Sequence, residues 1–143
     1  MPELLGEHRY QLDPKGRISL PVKFRDAFDE GLYLTLGQEG CLFGFPKEEW
    51  DRRRAEVELR GLTDPQARAY ARVFMAYADR IDLDGQGRLV IPQKLRQKAG
   101  LAREVVVTGA GARLDIWSPD AWDRYLAAYE AQYIAGSLAP PPA

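Results

Sequence analysis

Two short segments of this sequence combine an aspartate, a glycine and an arginine at the same spacing. They are Asp13-Pro14-Lys15-Gly16-Arg17 and Asp84-Gly85-Gln86-Gly87-Arg88. In both, the aspartate lies four residues before the arginine and a glycine lies one residue before it. A guanidinium beside a glycine allows a partner to approach closely, and it can clamp a phosphate or pair with a guanine edge. The chemistry that this pattern offers is therefore the binding of phosphates or bases.

The two segments belong to an internal duplication. Each continues through apolar residues to a proline, Pro21 or Pro92, and four residues later to an arginine, Arg25 or Arg96. The offset between matched residues is constant at 71 positions (92 minus 21, 96 minus 25). A spacing kept over so many positions indicates a repeat of one structural unit.

Turn-forming residues predict that each arginine follows the tip of a β-hairpin. Asp13, Pro14 and Gly16 stand at the first, second and fourth positions that a tight turn favours, which places Lys15 at the tip. Alternating polar and apolar residues on both sides predict two strands that pair with each other. The aspartate of each turn is expected to accept hydrogen bonds from turn amides. A purely structural role for the motif, with the arginine packed over a strand, is the alternative.

Each half repeats the order hairpin, short helix, two strands and longer helix. The predicted strands are 9–12, 17–20, 32–36, 41–45, 80–83, 88–91, 104–108 and 113–117. The predicted helices are 22–28, 47–60, one that begins at Pro65 after the N-cap Asp64, 92–99, and one capped by Ser118. In the helix from Pro65, the residues expected to face the core are Ala69, Tyr70, Val73, Phe74 and Tyr77.

A chain of 143 residues is long enough for one ordinary domain, so the two halves are expected to share one core. The predicted fold is α+β, a β-barrel with internal pseudo-twofold symmetry and flanking helices. Its predicted parts are repeat 1 at 6–48, a helical connection at 49–76, repeat 2 at 77–120, a C-terminal helix at 121–135 and a disordered tail at 136–143.

Composition argues against several classes of site. The single cysteine, Cys41, and the single histidine, His8, leave no internal disulfide, zinc site or histidine-dependent triad. The segment from Asp82 begins like a calcium-binding EF-hand loop, but its twelfth position is Gln93 and its flanks read as strands. No metal, cofactor or small-molecule substrate is therefore expected. The short apolar runs and the N-terminal residues predict neither a membrane segment nor a signal peptide, which favours the cytoplasm.

Charge is unevenly distributed along a chain whose net charge is only −1. Six lysines or arginines and two aspartates lie between Arg80 and Arg103, whereas acidic residues concentrate elsewhere, as at Glu48, Glu49 and Asp51. No overall field attracts a polyanion, so any nucleic acid must bind to a local basic patch.

The duplicated motif resembles the MraZ family of bacteria. The resemblance rests on Gly6-Glu7, on 13–21 and 82–89 with their paired Asp-x-x-x-Arg motifs, and on Ala99-Gly100-Leu101. It implies that each half resembles one chain of the SpoVT-AbrB swapped-hairpin fold. It also implies a sequence-specific transcriptional regulator of the division and cell-wall gene cluster, which binds tandem repeats of upstream double-stranded DNA. It further implies assembly into homo-oligomeric rings on the nucleoid.

The same resemblance assigns roles to residues of this chain. Arg17 and Arg88 would be the principal DNA contacts, with Lys15 beside them, whereas Gln86 stands where a second lysine would be. Asp13 and Asp84 would shape the two loops, together with the glycines of the motif. Those glycines are Gly16 and Gly87.

Two other functions remain open from the sequence. A ring-forming scaffold or antitoxin-like interaction module would use the aromatic residues of the longer helices for protein contacts. These are Tyr70, Phe74, Tyr77, Trp122, Tyr125 and Tyr129. An enzyme is the weakest hypothesis, since aspartate and glutamate are the main acid–base groups left and no apolar-flanked carboxylate pair recurs.

Overall fold

The computed structural model describes residues 3–140, which form eight strands and five helices. The strands are β1 (Glu7–Gln11), β2 (Arg17–Ser19), β3 (Leu32–Leu36), β4 (Leu42–Pro46), β5 (Asp79–Ile81), β6 (Arg88–Val90), β7 (Glu104–Gly109) and β8 (Leu114–Trp117). The helices are α1 (Val22–Arg25), α2 (Lys47–Arg60), α3 (Pro65–Ala76), α4 (Gln93–Lys98) and α5 (Pro119–Ile134). One turn of 3-10 helix, Asp26–Phe28, directly follows α1.

The helices begin where proline and capping side chains predict them. Pro65 and Pro119 occupy the first turns of α3 and α5, where a missing backbone N–H costs nothing. The Asp64 carboxylate accepts a hydrogen bond from the Gln66 amide at 3.0 Å, and the Ser118 hydroxyl accepts one from the Ala121 amide at 3.1 Å. These local signals explain why the predicted helix starts agree with the structure.

The strands form an antiparallel six-stranded sheet in the order β1-β7-β8-β4-β3-β5 and a separate two-stranded ribbon of β2 and β6. The first strand of each repeat pairs with the third strand of the other repeat, β1 with β7 and β5 with β3. The second strands of the two repeats pair with each other. Every one of these three pairings therefore joins one repeat to the other.

The predicted hairpin pairing is wrong, although the predicted turn is present. The Gly16 amide donates to the Asp13 carbonyl at 2.9 Å and closes the turn. Beyond it the two strands separate, because β1 pairs with β7 in the other repeat and β2 pairs with β6. The predicted closed barrel is not confirmed either, since the six-stranded sheet is open, with β1 and β5 at its edges.

The sheet is covered on both faces, which creates two apolar clusters. Val105 and Val107 of β7 belong to the cluster under the ribbon and the short helices, whereas Val106 between them belongs to the cluster under α2, α3 and α5. Successive side chains of a strand point to opposite faces, so a strand buried on both faces is apolar throughout. The ribbon, the sheet and the long helices thus form three layers.

The predicted core face of α3 is largely wrong. Phe74 is buried and stacks on Trp50 with ring centroids 5.3 Å apart, but Tyr70 and Val73 are 41% and 51% exposed. The buried Thr35 hydroxyl donates to the Phe74 carbonyl at 2.7 Å and so fixes α3 against β3. Helical spacing identified a candidate stripe, but the position of the sheet decides which part of the stripe is covered.

The chain after α5 is irregular as far as the structure describes it. Residues 137–140 form neither helix nor strand, and the part of the predicted disordered tail at 141–143 lies outside the described residues. Within residues 3–140, none of the helices combines the length and apolar composition that would let it cross a bilayer.

The ribbon's apolar side should contribute strongly to stability. Leu89 is fully buried opposite Ile18, so Leu89→Ala should lower the free energy of unfolding by about 2–5 kcal/mol. The neighbouring Val90 is 45% exposed, and Val90→Ala on the same strand is the matched control, expected to cost much less. Urea denaturation measures both values. Equal losses in the two variants would contradict the burial of this side of the ribbon.

Candidate nucleic-acid interface

The first turn is held by the carboxylate of its own aspartate. The Asp13 carboxylate accepts hydrogen bonds from the backbone amides of Lys15 and Arg17, each at 2.9 Å. It also accepts one from Nε of Arg17 at 2.6 Å. One carboxylate therefore satisfies two turn amides and orients the guanidinium that follows.

The second turn repeats this arrangement with the same distances. The Asp84 carboxylate accepts from the amides of Gln86 and Arg88 at 2.9 Å and from Nε of Arg88 at 2.6 Å. Sequence divergence inside the turn, with Gln86 in place of Lys15, leaves the hydrogen bonds unchanged. The hydrogen bonds of the turn therefore do not depend on which residue stands between the proline or glycine and the motif glycine.

Both aspartates have lowered pKa values. The pKa of Asp84 falls from its ordinary 3.8 to about 2, chiefly because the backbone amide of Arg88 donates to the charged carboxylate. The side-chain hydrogen bond from Arg88 lowers it further, while partial desolvation opposes the shift. The pKa of Asp13 is lowered for the same reasons, with the Arg17 amide as the largest cause.

The ribbon places the two motif arginines on one face. Ile18 and Leu89 face each other across the strand pair and are fully buried, so the residues on either side of them point away from the core. Arg17 and Arg88 both lie on this outer face, as diagonal neighbours that are expected about 7–8 Å apart. Lys15 is exposed in the first turn. The structure thus places Arg17 and Arg88 on one face of the ribbon and Lys15 in the turn that precedes Arg17.

Two more arginines, which the predicted set did not include, lie against these turns. The guanidinium of Arg96 contacts Gly16, and the guanidinium of Arg25 contacts Gly87. The constant offset of the repeats had matched Arg25 to Arg96 in the sequence. Their approach to the turns was not predictable, because each arginine contacts the turn of the other repeat.

Acidic residues gather on another part of the surface. A cavity of about 780 Å³ lies between the start of α2 and the residues that follow α1. Its acidic lining residues are Asp26, Asp29, Glu30, Glu48, Glu49 and Asp51. Although larger than the cavity of about 280 Å³ beside the second turn, it would repel phosphates. The acidic residues that precede and begin α2 therefore gather around one cavity, and Asp29 lines both this cavity and the smaller one beside the second turn.

The two aspartates of the EF-hand-like segment accept hydrogen bonds from groups of the same chain. Asp84 accepts hydrogen bonds from its own turn, and Asp82 accepts one from Arg80 at 3.1 Å. Within residues 3–140, no group of three or more His, Cys, Asp or Glu side chains is arranged to hold a metal ion.

The hydrogen bonds of the second turn predict the pH at which Asp84 titrates. We expect the Asp84 carboxylate of the folded protein to titrate near pH 2 in a carboxyl-carbon NMR titration. Because the folded pKa lies below the unfolded one, the stabilising contribution is complete above the unfolded pKa of 3.8 and is lost as the pH falls through about 2.

The Arg88→Ala variant separates the two kinds of donor. It keeps the backbone amide, which is the largest cause of the shift, and removes the guanidinium. The pKa of Asp84 should therefore rise only part of the way to 3.8. A wild-type midpoint at 3.8 would contradict the hydrogen-bonded turn.

Comparison with known proteins matches both halves of the chain to one family. Residues 4–73 and 74–137 each match the profile described as "MraZ protein, putative antitoxin-like". The protein named Transcriptional regulator MraZ in Paenarthrobacter aurescens is 47% identical over 129 residues, 90% of each chain. The protein of that name in Deinococcus radiodurans is 44% identical over 127 residues, 89% of each chain.

A third relative, from Heliobacterium modesticaldum, carries the same name and is 41% identical over 121 residues, 85% of each chain. The two profile matches include both turns and both strands of the ribbon. Because both halves match the profile and the relatives align along most of their length, the chain belongs to the MraZ family.

Proposed function

We propose that this chain is a sequence-specific DNA-binding transcription regulator, with Arg17 and Arg88 as its principal DNA contacts and Lys15 beside them. The observation that carries the proposal is that Arg17 and Arg88, each bonded to the aspartate of its own turn, lie on the outer face of a single ribbon. The relatives' name, Transcriptional regulator MraZ, supports the regulatory role.

The geometry of each arginine suits an anionic or base partner. The aspartate occupies Nε, and within residues 3–140 the Nη atoms of Arg17 and Arg88 form no hydrogen bond. Two Nη groups on one planar guanidinium can make a bidentate contact with a phosphate or with O6 and N7 of guanine. The aspartate limits the rotation of the guanidinium, so less conformational entropy is lost when DNA binds.

The ribbon has a suitable size for the major groove. Two strands about 4.8 Å apart, with their side chains, fit a groove about 12 Å wide. In the proposed complex the turns of Asp13 and Asp84 point toward the DNA, and the apolar side of the ribbon stays on the sheet. The same aspartates and glycines would act as loop-shaping residues.

Net charge bears on how such a protein would bind. A chain with a net charge of −1 offers few phosphate contacts, so one copy would bind weakly. We propose a ring of several copies that engages tandem repeats upstream of the division and cell-wall gene cluster, because linked sites raise the effective affinity. The proposal places the protein in the cytoplasm at the nucleoid, with no catalytic activity, cofactor or small-molecule substrate.

A scaffold or antitoxin-like interaction module is the second candidate. One observation favours it: Tyr133 and Ile134 near the end of α5 are 75% and 76% exposed, as an apolar protein contact would be before it forms. A mobility shift with upstream DNA and with scrambled DNA of equal length separates the two candidates. Absence of any preference would favour the scaffold.

Substitution of the motif arginines tests the DNA-binding proposal. Arg17→Ala and Arg88→Ala should each weaken binding to a two-repeat upstream fragment by about 1–3 kcal/mol where a bidentate base contact is lost. If the lost contact is to a phosphate, the negative slope of log affinity against log salt should become shallower by about 0.9. Fluorescence anisotropy at several salt concentrations measures both quantities.

The matched control is Arg60→Ala, which removes the same charge from an exposed position at the end of α2. It should bind the DNA fragment like the wild type, apart from the small effect of losing one positive charge. All three variants should melt near the wild-type temperature, because partly exposed ion pairs stabilise proteins little. If both motif variants bind as the wild type does, the assignment of the turns is wrong.

A further inference from the structure

Each turn packs against an arginine that comes from the other repeat. A Cβ atom added to Gly16 would lie 2.7 Å from Cζ of Arg96 and 2.8 Å from its Nη1. A Cβ atom added to Gly87 would overlap the guanidinium of Arg25. The offset of 71 relates Gly16 to Gly87 and Arg25 to Arg96, so the molecule makes one contact twice, crosswise (87 minus 16, 96 minus 25).

The backbone at both glycines explains why the arginines fit there. Gly16 has φ +78° and Gly87 has φ +72°, a conformation that favours glycine. Both glycines are buried although they belong to surface turns. The guanidinium of the opposite repeat fills the space that a side chain would occupy, so a change at the arginine leaves the turn without its packing partner.

Backbone hydrogen bonds join the same residues across the repeats. The Leu20 amide donates to the Gly87 carbonyl at 3.1 Å, and Nε of Arg25 donates to the Leu20 carbonyl at 3.1 Å. On the other side, the Ile91 amide donates to the Gly16 carbonyl at 2.9 Å. Each glycine is thus held by a backbone bond and by an arginine, both from the opposite repeat.

Arg96 differs from Arg25 in one respect. Its Nε is buried and has no hydrogen-bond partner among the described residues, which is an unfavourable state for a charged donor. The position of this guanidinium therefore depends on packing against the first turn. Such an arrangement is consistent with a side chain whose role is to hold the first turn in position.

We propose that Arg96 positions the turn of Asp13 and Arg17, and that Arg25 positions the turn of Asp84 and Arg88. Each acts from the opposite repeat, so the position of each turn is tied to the other half of the molecule. Arg25 and Arg96 are positioning residues, which act on DNA through the motif arginines. The consequence for DNA binding rests on the proposed function, whereas the effect on the turns does not.

Hydrogen exchange of the DNA-free protein tests the positioning directly. Arg96→Ala should speed exchange of the Gly16 and Arg17 amides, which bond to Asp13, and leave the second turn unchanged. Arg25→Ala should do the reverse at the second turn. The buried amides of β7 serve as the control for global unfolding. Uniform acceleration everywhere, or faster exchange in the turn of the same repeat, would overturn the proposal.

Double-mutant cycles on DNA affinity then test the consequence. Arg96→Ala should weaken binding roughly five-fold or more, and it should add little to Arg17→Ala because both act on one contact. Combined with Arg88→Ala, its effect should multiply. For Arg25→Ala the pairing is reversed, with Arg88 as the coupled residue and Arg17 as the independent one. Multiplicative effects in all four combinations would indicate direct phosphate contacts and overturn the proposal.

A conservative variant separates charge from shape. Arg96→Lys keeps the positive charge and loses the planar guanidinium that packs on Gly16. A positioning role predicts that this variant resembles Arg96→Ala in turn exchange, whereas wild-type exchange in it would overturn the role. If the wild-type protein does not bind the DNA fragment, the proposed function fails, and the crossed exchange pattern still decides whether Arg25 and Arg96 position the turns.

Discussion

The pairing of β2 with β6 is the interaction on which the rest of the structure depends. It joins three residues of each repeat, yet it buries Ile18 and Leu89 over the sheet and turns the alternate residues outward. Because the strand alternates, burying one side of the ribbon necessarily presents Arg17 and Arg88 on the other. In the sheet, the pairs β1–β7 and β5–β3 also join a strand of one repeat to a strand of the other. Neither repeat therefore has a complete core alone.

Each turn is stabilised by two kinds of contact, one within the turn and one from the other repeat. Within each turn the aspartate binds two amides and one guanidinium, and these bonds lower its own pKa. Across the repeats, Arg25 and Arg96 fill the space beside the glycines. The local bonds specify the shape of a turn, whereas the crossed contacts connect its position to the other half of the molecule. A chain with a net charge of −1 can in this way concentrate basic groups on one small face.

Much of the secondary structure was predictable, since its signals are local. Prolines and capping residues such as Asp64 and Ser118 begin helices, and the turn of Asp13 to Gly16 closes as its residue types indicate. The predicted hairpin pairing was wrong because a turn reverses the chain without choosing the partner of each strand. The predicted core face of α3 was wrong at Tyr70, because helical spacing does not say how far a helix overlaps the sheet.

The sequence by itself determined the duplication and the two Asp–Arg turns, and it predicted the residues of the proposed nucleic-acid site. The turns follow from residue types over a few positions, the duplication follows from the constant offset of 71, and the site residues follow from the resemblance to the family. Only the tertiary structure decided that strands are exchanged between repeats, that both arginines share one face, and that Arg25 and Arg96 contact the opposite turns. The physical reason is that these contacts join residues far apart in the chain. Their energies depend on burial against the other repeat, which no local pattern records.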